Sequence, residues 1–295
     1  MMQTSTPQNS EKITSLRDDI LKIIKFKVVM VMVFSSITGI LICPPEKQNI
    51  IKACTGIIGI GLAACASAAL NHLYDMHEDK KMQRTMKRPL AQNSINRNTV
   101  KYFALGSIIL STLILVLANN ITCALLTLAT TIGYSILYTK WLKPTTPQNI
   151  VIGGLSGAMP PLLGWSSLMG NITVQPLLLV LIIFTWTPAH FWPLALHHQK
   201  DYAKTKWPML PNTHGEKFTK LSIIAYALLT TATSMLPFCI QMTGYLYLAI
   251  VSLINAKWLQ MCYALWRNEE NAENVFRFSI TYIIILFTAL ILDHQ

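Results

Sequence analysis

Apolar residues occur along this chain in long unbroken runs, each close to the ~20 residues a helix needs to cross a hydrocarbon core. Nine such runs are predicted to be membrane helices: 26–43, 50–73, 100–118, 121–139, 148–168, 174–196, 219–240, 243–266 and 275–292. The polar segments between them alternate in length. Those after odd-numbered runs are short (Cys43–Asn49, Asn119–Asn120, Gly170–Thr173 and Gln241–Met242), whereas 74–99 and 197–218 are long. The pattern predicts an all-α, polytopic membrane protein of nine transmembrane helices around a central cavity. Its working surface should lie on the side of the long loops, where function concentrates. Residues 26–295 read as one membrane domain preceded by a polar tail, 1–25. Within the tail, the stretch from Ser15 to Ile24 has the pattern of a short amphipathic surface helix, and nothing there resembles a cleaved signal peptide.

Composition agrees with this pattern. Charged residues make up 13% of the chain, about half of the ~25% usual in soluble domains. The formal net charge of +11 raises the question of nucleic acid, but its distribution answers it. In a nine-helix arrangement 21 of the 24 basic residues fall on one side, with only Lys47 and Lys52 opposite and Lys257 inside a run. Basic residues gathered on one face of a membrane protein mark its cytoplasmic side. The expected topology is therefore N-in and C-out, in the inner (plasma) membrane, with no nucleic-acid partner. The six cysteines all lie in or beside apolar runs without a C-x-x-C pair, so neither a disulfide framework nor a thiolate metal site is expected.

The chain has 13 acidic residues. Two of them, Asp75 and Asp79, follow Asn71 at intervals of four where the second run ends. On a helix these three positions share one face, spread over about 80°. A basic segment follows, with Arg84, Lys87 and Arg88. Oxygen donors on one ridge beside guanidinium and ammonium groups can hold a divalent cation together with a diphosphate. Mg²⁺ suits such a site, because it binds a few carboxylates and completes its shell with phosphate oxygens and water. Arg84 and Arg88 rank above the lysines because a guanidinium can grip phosphate in two places. Glu78 points about 60° or more away from the ridge.

The sixth run ends in a similar way. His190, His197 and Asp201 are spaced so that a continuing helix would bring them within about 40° of one another. Five of the seven histidines, 72, 77, 190, 197 and 198, gather at the ends of the second and sixth runs. That density points to contact with a metal or a porphyrin, since His is the commonest axial haem ligand. For His190, the deepest, a structural hydrogen bond to a neighbouring helix is an equally plain reading. The fifth run is rich in glycine and contains Pro160–Pro161, a composition that lets helices approach closely and interrupts a span.

Four blocks together resemble the intramembrane prenyltransferases, and among them the branch that farnesylates haem. They are Asn71–Asp79 continuing through Met82–Leu90; Tyr138–Lys143; Asn149–Trp165; and Pro188–Trp192 through Asp201–Tyr202 to Pro208–Pro211. The resemblance runs from the second run to the loop after the sixth. It implies nine helices around a cavity open to the cytoplasm, with two ligand motifs at its mouth. It further implies farnesyl transfer from farnesyl diphosphate to a vinyl group of haem B, giving haem O for terminal oxidase assembly. In that reading Asp75, Asp79 and Asp201 hold Mg²⁺ with Asn71, and Arg84 and Arg88 stabilise the departing diphosphate. Lys87, Lys143, His190, His197, His198 and Lys200 become substrate contacts. Haem is a substrate here, and a haem A synthase or oxidase assembly factors are the expected partners. The related quinone-pathway enzymes have an Asp-rich second motif, whereas this chain offers His190, His197 and one carboxylate. His198 departs from the family's basic residue at that point, which protonation could restore. Two other readings stay open: a 4-hydroxybenzoate-type polyprenyltransferase, and a metal- or proton-coupled transporter. The second predicts polar residues through both leaflets, while here they crowd towards one face.

Overall fold

The computed structural model describes residues 17–294. Most of the polar tail, 1–16, lies outside the described residues, and of the expected amphipathic helix the part at 17–23 is helical. Lys25 then takes a left-handed conformation, φ 50° and ψ 52°, and separates that turn from the helix that starts at Phe26. Ten helices carry the architecture. They are α1 (Phe26–Leu41), α2 (Ile50–Asp79), α3 (Arg97–Asn119), α4 (Ile121–Thr145), α5 (Asn149–Ala158) and α6 (Pro160–Met169), followed by α7 (Val174–His197), α8 (Gly215–Cys239), α9 (Tyr245–Arg267) and α10 (Ala272–Leu292). No strand occurs among the described residues, only an isolated bridge between Thr243 and His294.

Seven of these helices are long and apolar enough to cross a membrane: α2, α3, α4 and α7 to α10. The other two expected spans differ for local reasons. α1 has 16 residues and stops before Pro44–Pro45, where rigid φ angles and a missing N–H end a helix. The fifth expected span is divided at Met159 into α5 and α6, each of 10 residues, by the proline pair. α2 goes the other way. At 30 residues it extends well past the apolar run and carries the polar segment through Asp79 in unbroken helix. Its start is capped by Asn49, whose Oδ1 accepts from the N–H groups of Ile51 and Lys52 at 3.0 Å.

Packing follows from small residues at the crossings. A methyl group placed on Gly39 of α1 would lie 1.9 Å from the carbonyl oxygen of Pro161, and one on Gly164 of α6 would lie 1.9 Å from that of Ser36. The two backbones therefore touch, as membrane helices do where glycines face each other. α7 packs against α5, α6, α8 and α10 and so occupies the centre of the second half. Among α8, α9 and α10 a buried polar chain is fully paired: Tyr282 Oη donates to Asn255 Oδ1 at 2.7 Å, and Asn255 Nδ2 donates to Ser234 Oγ at 3.0 Å. Outside, large residues such as Leu117, Leu125, Leu228 and Leu253 are exposed. That surface suits lipid, where helices satisfy their own backbone groups.

Candidate active site

Because α2 stays helical to Asp79, Asn71, Asp75 and Asp79 do share a face, and all three side chains are buried. Each acceptor meets a cation from a different part of the chain. Lys143, at the end of α4, places Nζ 2.5 Å from Asp75 Oδ2. Arg88 Nη1 donates to both Asp79 oxygens, at 2.9 and 2.8 Å. Lys25, ahead of α1, donates to Asn71 Oδ1 at 2.5 Å, and the Asn71 amide donates to Thr139 at 3.3 Å. Charges buried at this depth persist only when paired. The result is a row of three oxygen donors with three cations facing it. Tyr134 and Tyr138 of α4, with ring centroids 5.4 Å apart, stand within electrostatic reach of Asp75.

The loops after α2 and α7 close over this row. Asp201 Oδ2 accepts from the backbone N–H of Arg84 at 3.3 Å, and Oδ1 accepts from Lys204 at 2.9 Å. Burial works against its charge, but these donors and the N–H of Gln83 hold its carboxyl below the usual range. The Arg84 guanidinium donates to Tyr202 Oη at 3.3 Å. Glu78, which the spacing turned away from the ridge, accepts from Lys81 at 3.0 Å and from the N–H of Lys206 at 3.1 Å, tying the two loops together. Met82, Tyr202, Trp207 and Met209 form a buried apolar cluster beneath them. Trp207 presents its ring to Lys143, whose ammonium sits 3.5 Å from the ring centroid.

Asn71, Asp75, Asp79, Arg88 and Lys143 are thus brought together, and Arg84 and Asp201 meet beside them. The histidines of α7 lie elsewhere, on its seam with α10. His190 Nδ1 pairs with Ser279 Oγ at 2.5 Å, the structural hydrogen bond that was one of its two readings. His197 Nε2 lies 3.7 Å from Glu273 Oε2. His198 has its pKa lowered by burial, then by Arg84 and His197, a direction that works against the protonation expected to restore a basic charge there. Lys87 and Lys200 are exposed. His72 is buried beside Asn71, with both ring nitrogens lacking a partner among the described residues.

Lys25 and Trp207 join the site without having been singled out in the sequence, whereas Thr139 and Tyr202 come from the blocks that carry the resemblance. Lys25 carried a signal, a basic residue at the lip of a span, but the same signal marks every residue that obeys the positive-inside rule. No group of three or more His, Cys, Asp or Glu side chains able to hold a metal by themselves exists among the described residues. Two carboxylates and an amide, all hard oxygen donors and all facing cations, fit Mg²⁺ once phosphate oxygens and water complete the shell.

The sequence matches the family described as UbiA prenyltransferase over residues 32–291. The chain belongs to the UbiA prenyltransferase family. It is 46% identical over 278 residues to protoheme IX farnesyltransferase 1 of Pseudomonas putida, covering 94% of both chains. Protoheme IX farnesyltransferase of Psychromonas ingrahamii is 44% identical over 295 residues, covering 98% of this chain and 95% of its own. A solved UbiA homologue of Archaeoglobus fulgidus, bound to DMAPP and Mg²⁺, shares the fold with a TM-score of 0.66 at 14% identity, over 92% of this chain and 99% of that one. The family match and these relatives make the chain a prenyltransferase, and the transporter reading gives way.

Proposed function

We propose that this UbiA-family chain transfers the farnesyl group of farnesyl diphosphate to a vinyl group of haem B, producing haem O. The diphosphate half rests on one observation: the buried row in which Asn71, Asp75 and Asp79 face Lys25, Lys143 and Arg88. The choice of acceptor rests on the protoheme IX farnesyltransferases at 44% and 46% identity, aligned over nearly their whole length.

Lys25, Lys143 and Arg88 already hold oxygen acceptors, and diphosphate oxygens are acceptors of the same kind. Their transfer to substrate leaves Asn71, Asp75 and Asp79 to hold Mg²⁺, with Asp201 as the carboxylate nearest on the facing loop. Bound there, Mg²⁺ would neutralise charge on the diphosphate as it departs. The bond between C1 of the farnesyl chain and oxygen breaks with its electron pair going to diphosphate. The row of cations, with Arg84 at its edge, stabilises the negative charge that develops. The allylic cation takes electrons from the vinyl group, and a carbon–carbon bond forms. Water then adds to the carbon left electron-deficient and loses a proton, so one hydroxyl remains in the product. Tyr134, Tyr138 and the Trp207 cluster keep water from the allylic cation before the vinyl group reaches it.

The nine-span topology belongs to this reading. The short α1 and the α5–α6 pair, joined through one residue, pack among the seven longer helices and serve as the remaining two crossings. With 21 of 24 basic residues on the loop side that carries the site, the N-terminus and the active site face the cytoplasm across the inner membrane. A haem A synthase or terminal oxidase assembly factors would receive the product.

Membranes holding the protein, supplied with haem B, farnesyl diphosphate and Mg²⁺, should yield haem O by mass spectrometry. Chelation should stop the reaction and added Mg²⁺ restore it. Turnover of 4-hydroxybenzoate with a polyprenyl diphosphate, and none of haem B, would replace the acceptor proposed here.

A further inference from the structure

On the seam between α7 and α10, Ser279 makes three hydrogen bonds that converge on His190 and its neighbour. Its backbone oxygen accepts from Trp186 Nε1 at 3.0 Å. Its hydroxyl donates to the carbonyl of Phe276 at 2.5 Å and pairs with His190 Nδ1 at 2.5 Å. A serine hydroxyl has a single proton. With that proton given to Phe276, Oγ can only accept from His190, so the imidazole hydrogen sits on Nδ1. Nε2 is then left as a bare lone pair, since the hydrogen bond of the ring among the described residues is made at Nδ1. The ring is fixed in plane as well. It stacks with Trp186 at 4.1 Å and 13°, and with Phe276 at 4.7 Å and 26°. Ser279 itself is fully buried, while His190 is only half-buried.

A neutral imidazole with Nδ1–H held by a fixed acceptor and Nε2 free is the form that binds a metal through Nε2, and the acceptor sets both tautomer and orientation. We infer that Ser279 is a positioning residue that presents His190 Nε2 as an axial ligand to the iron of the porphyrin acceptor. This rests on the proposal that haem B is the acceptor. Packing alone does not require the arrangement, since a buried apolar side chain would fill the same seam. The hydroxyl specifies which nitrogen stays free. Ligation through Nε2 would hold the macrocycle beside α7 while the vinyl group reacts.

Haem B titrated into the purified full-length protein, followed by absorption spectroscopy, tests the inference. The wild-type protein should give the spectrum of histidine-ligated haem, and His190→Ala should lose it. Ser279→Ala keeps the backbone oxygen that holds Trp186, so its fold should survive, as a melting curve would verify. It should bind haem about 10- to 100-fold more weakly, the usual effect of removing a partner behind a ligand, with KM for farnesyl diphosphate unchanged. Ser279→Thr, which keeps the hydroxyl, should recover the wild-type spectrum. A Ser279→Ala protein with wild-type haem affinity and spectrum would overturn the inference, as would His190→Ala retaining the ligated spectrum. Neither result touches the proposed reaction, which fails separately if wild-type protein does not convert haem B.

Discussion

The proposed reaction turns on residues whose charge is buried and answered. Asp75 sits opposite Lys143, and Asp79 opposite Arg88. Replacing Asp75 by Ala should lower conversion of haem B to haem O in membranes by about 10²- to 10³-fold, the scale of losing one preorganised electrostatic contact. Unchanged conversion would sink the mechanism. Lys25 makes a sharper prediction because burial, then Arg88, pushes its ammonium down to about 7. As pH rises through that value the free protein loses a positive charge facing Asn71. Affinity for the diphosphate should therefore fall on the alkaline side. Lys25→Arg stays charged throughout, so its KM for farnesyl diphosphate should be flat between pH 6 and 9 where that of the wild type rises. Parallel profiles for the two would remove Lys25 from diphosphate binding.

Among elements, α2 matters most to the proposed site, because one uninterrupted helix carries Asn71, Asp75 and Asp79 beyond the apolar run and down to the loops. The contact between α1 and α6 fixes where α1, and Lys25 ahead of it, can sit. Gly39→Ala or Gly164→Ala would drive a methyl group to within 1.9 Å of a carbonyl oxygen on the other helix. Relief requires the helices to part, so each should cost about 1–3 kcal/mol, as overpacking does. The melting temperature of the protein in detergent would report it. Gly106→Ala in α3, where nothing lies within 4 Å, serves as the control and should be neutral or slightly stabilising.

At the scale of the molecule, the two ends of the bundle differ in charge and in loop length. On the proposed topology, single cysteines in a background lacking the native six divide by side. Lys80→Cys and Lys204→Cys should react with a membrane-impermeant thiol reagent only from the cytoplasmic face, and Asn171→Cys only from the opposite face. Labelling of Asn171→Cys together with Lys80→Cys from one side would reject the nine-crossing arrangement. The long loops meet: the backbone N–H of Arg84 donates to Asp201, that of Lys206 donates to Glu78, and Lys143 at the end of α4 lies over Trp207. This brings the end of α2 and the segment after α7 together, although more than a hundred residues separate them in the chain.

The all-helical membrane class and the shared face of Asn71, Asp75 and Asp79 were legible along the chain. Apolar run length is a direct consequence of bilayer thickness, and an i, i+4, i+8 series of oxygen donors is a local property of one helix. Both can be read without knowing any neighbour. The same reasoning placed His190 and His197 in a pocket with Asp201, but the three faced different partners. α7 contains Pro188 and Pro193, and its helix ends at His197 before Asp201 is reached, so a single helical frame does not extend across them. Which cation meets which acceptor followed from the packing, because Lys25, Arg88 and Lys143 come from three separate segments. The packing also set Ser279, one apolar-run serine among many, where its Oγ accepts from an imidazole. Such pairings depend on how helices rotate against each other, and that follows from close contacts such as Gly39 on Pro161 rather than from any periodicity in the chain.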